Sequence, residues 1–319
     1  MKILAPLRAP EEVGPLLAAG ADEFFCGLTP PGWAEHFGQA WANRRSHQSA
    51  GVRDLDDFAR IVALAGGKEV HVALNAPFYP PGGVEVMAAF GQELLELGAA
   101  ALIVADLDLL LTLAVAGHGA RLHVSSLATC INPEAAAFYR ELGVARIILP
   151  RHLTLAEIEA AMIPGMEFEV FLLNDGCVFE EGLCATTHAA GAFCTMDGEG
   201  TEGISAETLE RYAFWKWTLN HCGCRTGNGY PMGPCGMCAI PRLLGSGVTS
   251  FKVVGREASL ERKVASVRIA ARSLRLAREG GGPEEIRQAV SDLRGWPQMC
   301  EGRHLCYYPD LWARKESGC

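Results

Sequence analysis

The chain has 319 residues, a formal net charge of −9, 49% hydrophobic residues and 8% aromatics. These are the proportions of a folded protein with a sizeable core, not of a disordered chain, and the acidic balance argues against broad binding to phosphate backbones or nucleic acid. The N-terminal MKILAPLRAP lacks the apolar run of a secretion signal. The longest apolar stretch, residues 99–116, is interrupted by Asp106 and Asp108, which argues against a membrane span. The expected setting is the reducing cytoplasm, where stable disulfides are rare.

In chain order, short apolar runs alternate with amphipathic stretches. Residues 2–7 (KILAPL) read as a strand, and 10–20 as a helix with acidic residues in its first turn and a glycine stop. Residues 21–27 form the second strand. A looser stretch rich in Trp, His and Arg follows, from Trp33 to His47, before helical patterning returns over 53–66. Strand three covers 69–79 and its helix 83–98. Strand four covers 101–106, followed by an apolar helix to about Gly117. Strand five is 121–126, with a helix over 133–143. Strand six is 146–150, and Thr154 with Glu157 has the spacing of a capping box for the next helix. Strand seven is 166–173, strand eight 250–254, and an arginine-rich helix covers 259–280, its arginines expected on a solvated face.

Strict strand–helix alternation predicts a parallel sheet, and eight units in this length fit a closed (β/α)8 TIM-like barrel. The runner-up, an open doubly wound sheet, lacks a GxGxxG after strand one. The expected organisation is a barrel over 1–280, carrying a cysteine-rich metal-binding insert at 174–238 between strands seven and eight. The cysteine segment is expected to replace the plain helix after strand seven. A helical and irregular C-terminal extension covers 281–319.

Chemistry in such a barrel sits at the C-terminal ends of the strands. Those ends carry Cys26, Asn75, Asp106, Ser125, Ser126, Arg151, Asn174, Asp175, Lys252 and Arg256. Asn75 and Asp106 could equally cap the following helices. Their convergence on one face favours a pocket, with Asn75, Asp106, Ser126 and Arg151 as catalytic candidates and Lys252 and Arg256 as binders of an anionic substrate. His71 and His123 fall inside strands and read as lumen or core groups.

Seven of the twelve cysteines lie between 174 and 238: Cys177, Cys184, Cys194, Cys222, Cys224, Cys235 and Cys238. In a reducing compartment such clustering points to thiolate ligands. The spacing leaves zinc and an iron–sulfur cluster both open. Cys222, Cys224, Cys235 and Cys238 could make a compact zinc knuckle, or Cys222, Cys224 and Cys235 part of a second cluster. His188 and His221 are the most plausible non-cysteine ligands. Cys26, Cys130, Cys300, Cys306 and Cys319 read as buried small hydrophobes or tail thiols.

Four stretches resemble the U32 peptidase family. ALNAPFY resembles its strand-three TLN motif, and VADLDLL its VQDLG motif. The segment HVSSLATCINPEAAAFYRELGVARIILPRHLTLAEI resembles a long central motif, and GVTSFKVVGRE resembles GVDSFKIEGR. Cys177-x6-Cys184 matches the family's first cysteine pair. The chain departs from the pattern at LAPLR, at Val254 in place of a glutamate, and in lacking NRGxCxQPCR. The resemblance implies a 4Fe–4S cluster on Cys177, Cys184, Cys194 and Cys238, with Cys222 or Cys224 as alternatives for Cys194. It also implies oxygen-independent hydroxylation of a nucleobase or quinone-like substrate, with a dicarboxylate such as prephenate as oxygen donor, and a related U32-type partner subunit or a homodimer. The alternatives are a zinc-containing barrel hydrolase or peptidase and a non-catalytic subunit. No HExxH or GxSxG supports proteolysis.

Overall fold

Eight parallel strands close on themselves in chain order: β1 Lys2–Pro6, β2 Glu23–Gly27, β3 Glu69–Leu74, β4 Ala101–Val104, β5 Leu122–Val124, β6 Arg146–Ile148, β7 Glu167–Leu173 and β8 Ser250–Val253. Lys2 of β1 pairs with Ser250 of β8, which completes the barrel. The computed structural model describes residues 1–38, 40–45, 47–174, 205–207, 226–230, 233–295, 297–301 and 306–312. Helices follow the strands: α1 Val13–Ala19, α2 Leu55–Leu64, α3 Gly83–Glu96, α4 Leu107–Leu113, α5 Pro133–Glu141, α6 Leu155–Ala161, α7 Ile240–Ser246 and α8 Leu260–Arg278. A further helix, α9 Pro283–Arg294, packs against α8 and the turn Met237–Ala239.

The strands are buried on both faces, so their residues read as near-continuous apolar runs. The outward residues meet the helices in one large core. The inward residues form two layers, because positions two apart share a face. Glu23, His71, Arg146, Glu169 and Ser250 lie in the lower layer, with His123 beside His71. Two residues further along four of these strands stand Phe25, Ala73, Ile148 and Phe171. With Leu4 and Ile103 they make an apolar layer nearer the C-terminal ends.

The lower layer is ionic. Arg146 donates from Nη1 and Nη2 to Glu23 at 2.8 and 2.9 Å, and from Nη1 to Glu169 at 3.4 Å. Lys252 Nζ donates to Glu169 Oε1 at 2.7 Å, and Ser250 Oγ to Glu23 Oε2 at 3.0 Å. Arg146 and His71 hold Glu23 ionised, overcoming the opposing effect of its burial. His71 and His123 face each other at 4.6 Å between ring centroids, so both are lumen groups as their strand positions suggest.

Three boundaries differ from the sequence reading. β3 ends at Leu74, and the chain then leaves the sheet to serve the barrel mouth. α4 ends at Leu113 and passes into a wide turn, Ala114–His118, where Gly117 takes φ 90°. The expected loss of the helix after strand seven is corrected: α7 is present after the insert, started by Pro241 and stopped by Gly247. Among the described residues no helix is long and apolar enough to cross a membrane.

Candidate functional site

A pocket opens at the C-terminal end of the barrel, above the apolar lumen layer. Its walls include Phe25, Arg44, Arg45, Asn75, Ser125, Ser126, Lys252, Arg256 and Glu257. Four of the predicted site residues meet here: Asn75, Ser126, Lys252 and Arg256. Their environments differ.

Arg256 is buried, with its guanidinium carbon 5.8 Å from the centre of the Phe25 ring. Gly27, at the end of β2, makes this placement possible, since a β-carbon there would collide with the guanidinium. Burial pulls the Arg256 pKa down to about 10; Glu257 opposes the shift, and Arg45 and Arg44 add to it. It stays charged at neutral pH. Lys252 sits 4.4 Å above the same ring, but its charge is matched by Glu169.

Asn75 is a bridge. Its backbone N–H donates to Asn43 Oδ1 at 3.2 Å, its Oδ1 accepts from Arg44 N at 3.4 Å, and its Nδ2 donates to Ser125 Oγ at 3.5 Å. Ser125 Oγ also accepts from Leu127 N at 3.3 Å, capping the short turn Ser126–Ala128. Asp106 caps α4, accepting from Leu109 N at 2.8 Å, which is the structural role its position allowed. Arg151 is buried beside Phe171, its guanidinium carbon 5.2 Å from the ring centre.

Arg44 and Arg45 do not figure among the strand-end candidates. They belong to the stretch read as loose, and other side chains hold that stretch in place. Trp33 Nε1 donates to Ala40 O at 2.6 Å, Asn43 Nδ2 to Leu28 O at 2.5 Å and Tyr79 Oη to Ala42 O at 3.1 Å. The only sequence signal was the Arg-Arg pair beside a loop asparagine.

A second recess lies beside the mouth. The chain leaves β7 at Asn174, which takes φ 78°, and returns to pair with it: Asn174 N donates to Pro234 O at 2.9 Å and Gly236 N to Leu172 O at 2.8 Å. The C-terminal tail crosses the same place. Cys235 bridges both Leu173 and Cys306. The recess they frame is lined by Cys235, Cys238, Cys300 and Cys306, with Arg287 and Arg294. Burial, and then the neighbouring thiols of Cys235, Cys300 and Cys306, push Cys238 far above the ordinary thiol range. Burial, and then Cys235, raise Cys300. Cys300 and Cys306, taken from sequence as small hydrophobes or tail thiols, are thus brought to Cys238. Cys177, Cys184, Cys194, Cys222, Cys224, His188 and His221 lie outside the described residues.

One further group gathers ligand atoms. Glu23, Glu69 and His71 bring theirs within 4.8 Å of one another at the base of the barrel. Lys2 Nζ already supplies a cation there, 2.7 Å from Glu23 and 2.5 Å from Glu69.

Comparison with known proteins gives three findings. The model of peptidase family U32 matches residues 8–306. The tRNA hydroxylation protein P of Escherichia coli (strain K12) is 32% identical over 125 residues, 38% of this chain and 27% of that protein. The match therefore spans little more than a quarter of that relative's length. Among solved structures, the U32 peptidase Mk0906 is 16% identical with a TM-score of 0.46, over 64% of this chain and 84% of that one. A structure described as native KDPGal is 12% identical with a TM-score of 0.46, over 88% and 97% of the two chains.

Proposed function

This chain belongs to peptidase family U32, and from that footing we propose that it is a hydroxylation-type redox enzyme acting on a small anionic, nucleobase-like or quinone-like substrate at the barrel mouth. The observation that carries the proposal is the cationic mouth, where Arg44, Arg45 and Arg256 stand over an apolar floor. The partial likeness to tRNA hydroxylation protein P supports the reaction class.

The three guanidiniums suit a carboxylate-bearing substrate or oxygen donor, prephenate included, because paired N–H donors match carboxylate geometry. Phe25 and Phe171 supply flat apolar surface for a ring, and Asn75 adds a polar side chain at the rim. Lys252 sets the field of the floor while remaining paired with Glu169. A 4Fe–4S cluster on thiolates beside the mouth would supply single electrons. The family pattern nominates Cys177, Cys184, Cys194 and Cys238 to hold it, and zinc is the alternative occupant. A related U32-type subunit or a second copy of the chain is the proposed partner.

A hydrolytic reading finds less support. A serine nucleophile needs a base to take its proton. Among the described residues no histidine lines the mouth to serve Ser125 or Ser126 as that base.

The test is an anaerobic purification of the full chain with iron, sulfide and zinc analysis, followed by titration with prephenate. Bound iron and sulfide, and saturable prephenate binding lost in high salt, are the expected results. A colourless protein holding zinc alone, or one indifferent to prephenate and to simple dicarboxylates, removes the proposal.

A further inference from the structure

We propose that Cys235, Cys238, Cys300 and Cys306 form a thiolate site for an iron–sulfur cluster, seated between the exit of β7 and the C-terminal tail. The set shares one member, Cys238, with the ligands that the family pattern nominates. Cys177, Cys184, Cys194, Cys222 and Cys224 remain in the insert for that other set. The two sets compete for Cys238 alone, and the remaining insert thiols are enough to complete the other one; this inference does not rest on the proposed function.

The recess is built by backbone, not by chance proximity. Cys235 bridges Leu173 on one side and Cys306 on the other, and Tyr307 N donates to Cys235 O at 3.1 Å. Tyr308 Oη donates to Phe171 O at 2.8 Å and anchors the tail to β7. Gly236, between the two thiols of Cys235-x2-Cys238, lets the tail come this close. A β-carbon there would stand 2.7 Å from the Tyr308 ring.

The chemistry of the recess calls for a cation centre. Four partly buried thiols from two distant parts of the chain, Cys235 and Cys238 before α7 and Cys300 and Cys306 in the tail, line this one recess. Four sulfur donors around one space are the ligand set of a thiolate-bound metal centre. Arg287 and Arg294 line the same recess and offset the negative charge of a four-thiolate set.

The spread of the sulfurs argues against a single zinc ion. Tetrahedral zinc with bonds of ~2.3 Å brings its four sulfurs to about 3.8 Å from one another. Among the described residues no three of these sulfurs lie within 4.8 Å of one another. An iron–sulfur cluster carries its four thiolates on separate irons and needs the wider set. Tyr308, Leu311 and Trp312 complete the walls, and such apolar surroundings limit water and tune a cluster's potential. Tyr307, next to Cys306, packs against the apolar lumen layer that contains Phe171, a wall of the substrate pocket.

The test compares three full-length chains purified anaerobically: the unaltered protein, C300S/C306S and C177S/C184S. One cluster's worth of iron and sulfide is expected to be lost from C300S/C306S and to remain in C177S/C184S. Iron and sulfide unchanged in C300S/C306S overturn the inference, whereas a loss confined to C177S/C184S leaves only the family's ligand set standing. A second measurement guards against misfolding of the variants. In the unaltered chain, alkylation followed by peptide mapping is expected to find these four thiols protected until iron is chelated. Equal labelling before and after chelation, or zinc in place of iron at these thiols, overturns it as well.

Discussion

Arg256 holds its guanidinium inside the barrel mouth because residue 27 has no side chain. Two variants follow. R256K keeps a charge but loses the planar fork, and G27A pushes the fork out of place. A lost charge-assisted hydrogen bond is worth about 1.5–3 kcal/mol, so each variant is expected to weaken prephenate binding roughly 10- to 100-fold. Calorimetric titration checks this, and unchanged affinity in both would remove Arg256 from the site. His123 governs a different observable. Burial, and then the charges of His71 and Arg146, keep it neutral well below the usual histidine range. An unfolded histidine gains its proton near pH ~6.5. Below that pH the unfolded chain takes up a proton that the folded chain refuses, so stability is lost as pH falls, by up to about 1.4 kcal/mol per pH unit. Glu23 adds to the same slope at lower pH, because its folded pKa is depressed and its stabilisation disappears as the unfolded carboxylate range is entered. Urea unfolding at stepped pH values should show a shallower decline between about pH 6.5 and 5 in H123Q than in the unaltered chain. Parallel curves would contradict it.

The elements divide into those that announce themselves and those that do not. Asp106 and Thr154 sit just before amphipathic runs, and both cap their helices, Thr154 with the full reciprocal pair to Glu157. D106A is expected to cost about 1 kcal/mol through the lost cap and to leave prephenate affinity unchanged; thermal unfolding and titration read the two effects apart. Local signals of this kind made the eight strands, their order and most helix ends legible. The barrel mouth was half legible, since Asn75, Ser126, Lys252 and Arg256 lie at or just past the C-terminal ends of strands. Arg44 and Arg45 were not, because the loop that carries them is shaped by Trp33, Asn43 and Tyr79 and not by any pattern of its own. Cys300 and Cys306 were illegible for a related reason. Sequence spacing groups cysteines that are near along the chain, whereas these two reach Cys235 and Cys238 only once α8 and α9 have carried the tail back over β7. α7 was missed because the cysteine-rich composition before it masked a short helix begun by a proline.

For the molecule as a whole, closure depends on contacts between the ends of the barrel. Lys263 of α8 donates to both carboxylate oxygens of Glu12, beside α1, at 2.8 Å, and both residues are buried. Breaking a buried pair on one side leaves a charge without its partner, which typically costs about 3–5 kcal/mol. E12Q is expected to lower the unfolding free energy by that amount, read as a lower urea midpoint at unchanged slope, with no change in iron content. A variant as stable as the parent would show that the pair is not what fastens α8 to the start of the barrel. The tail sets a timetable as well. In order of emergence from the ribosome, β8 precedes Cys300 and Cys306. The recess beside β7 is therefore completed only after the last strand of the barrel is available. A chain cut short after α9 would keep the barrel, yet lack half of the thiols that frame the recess.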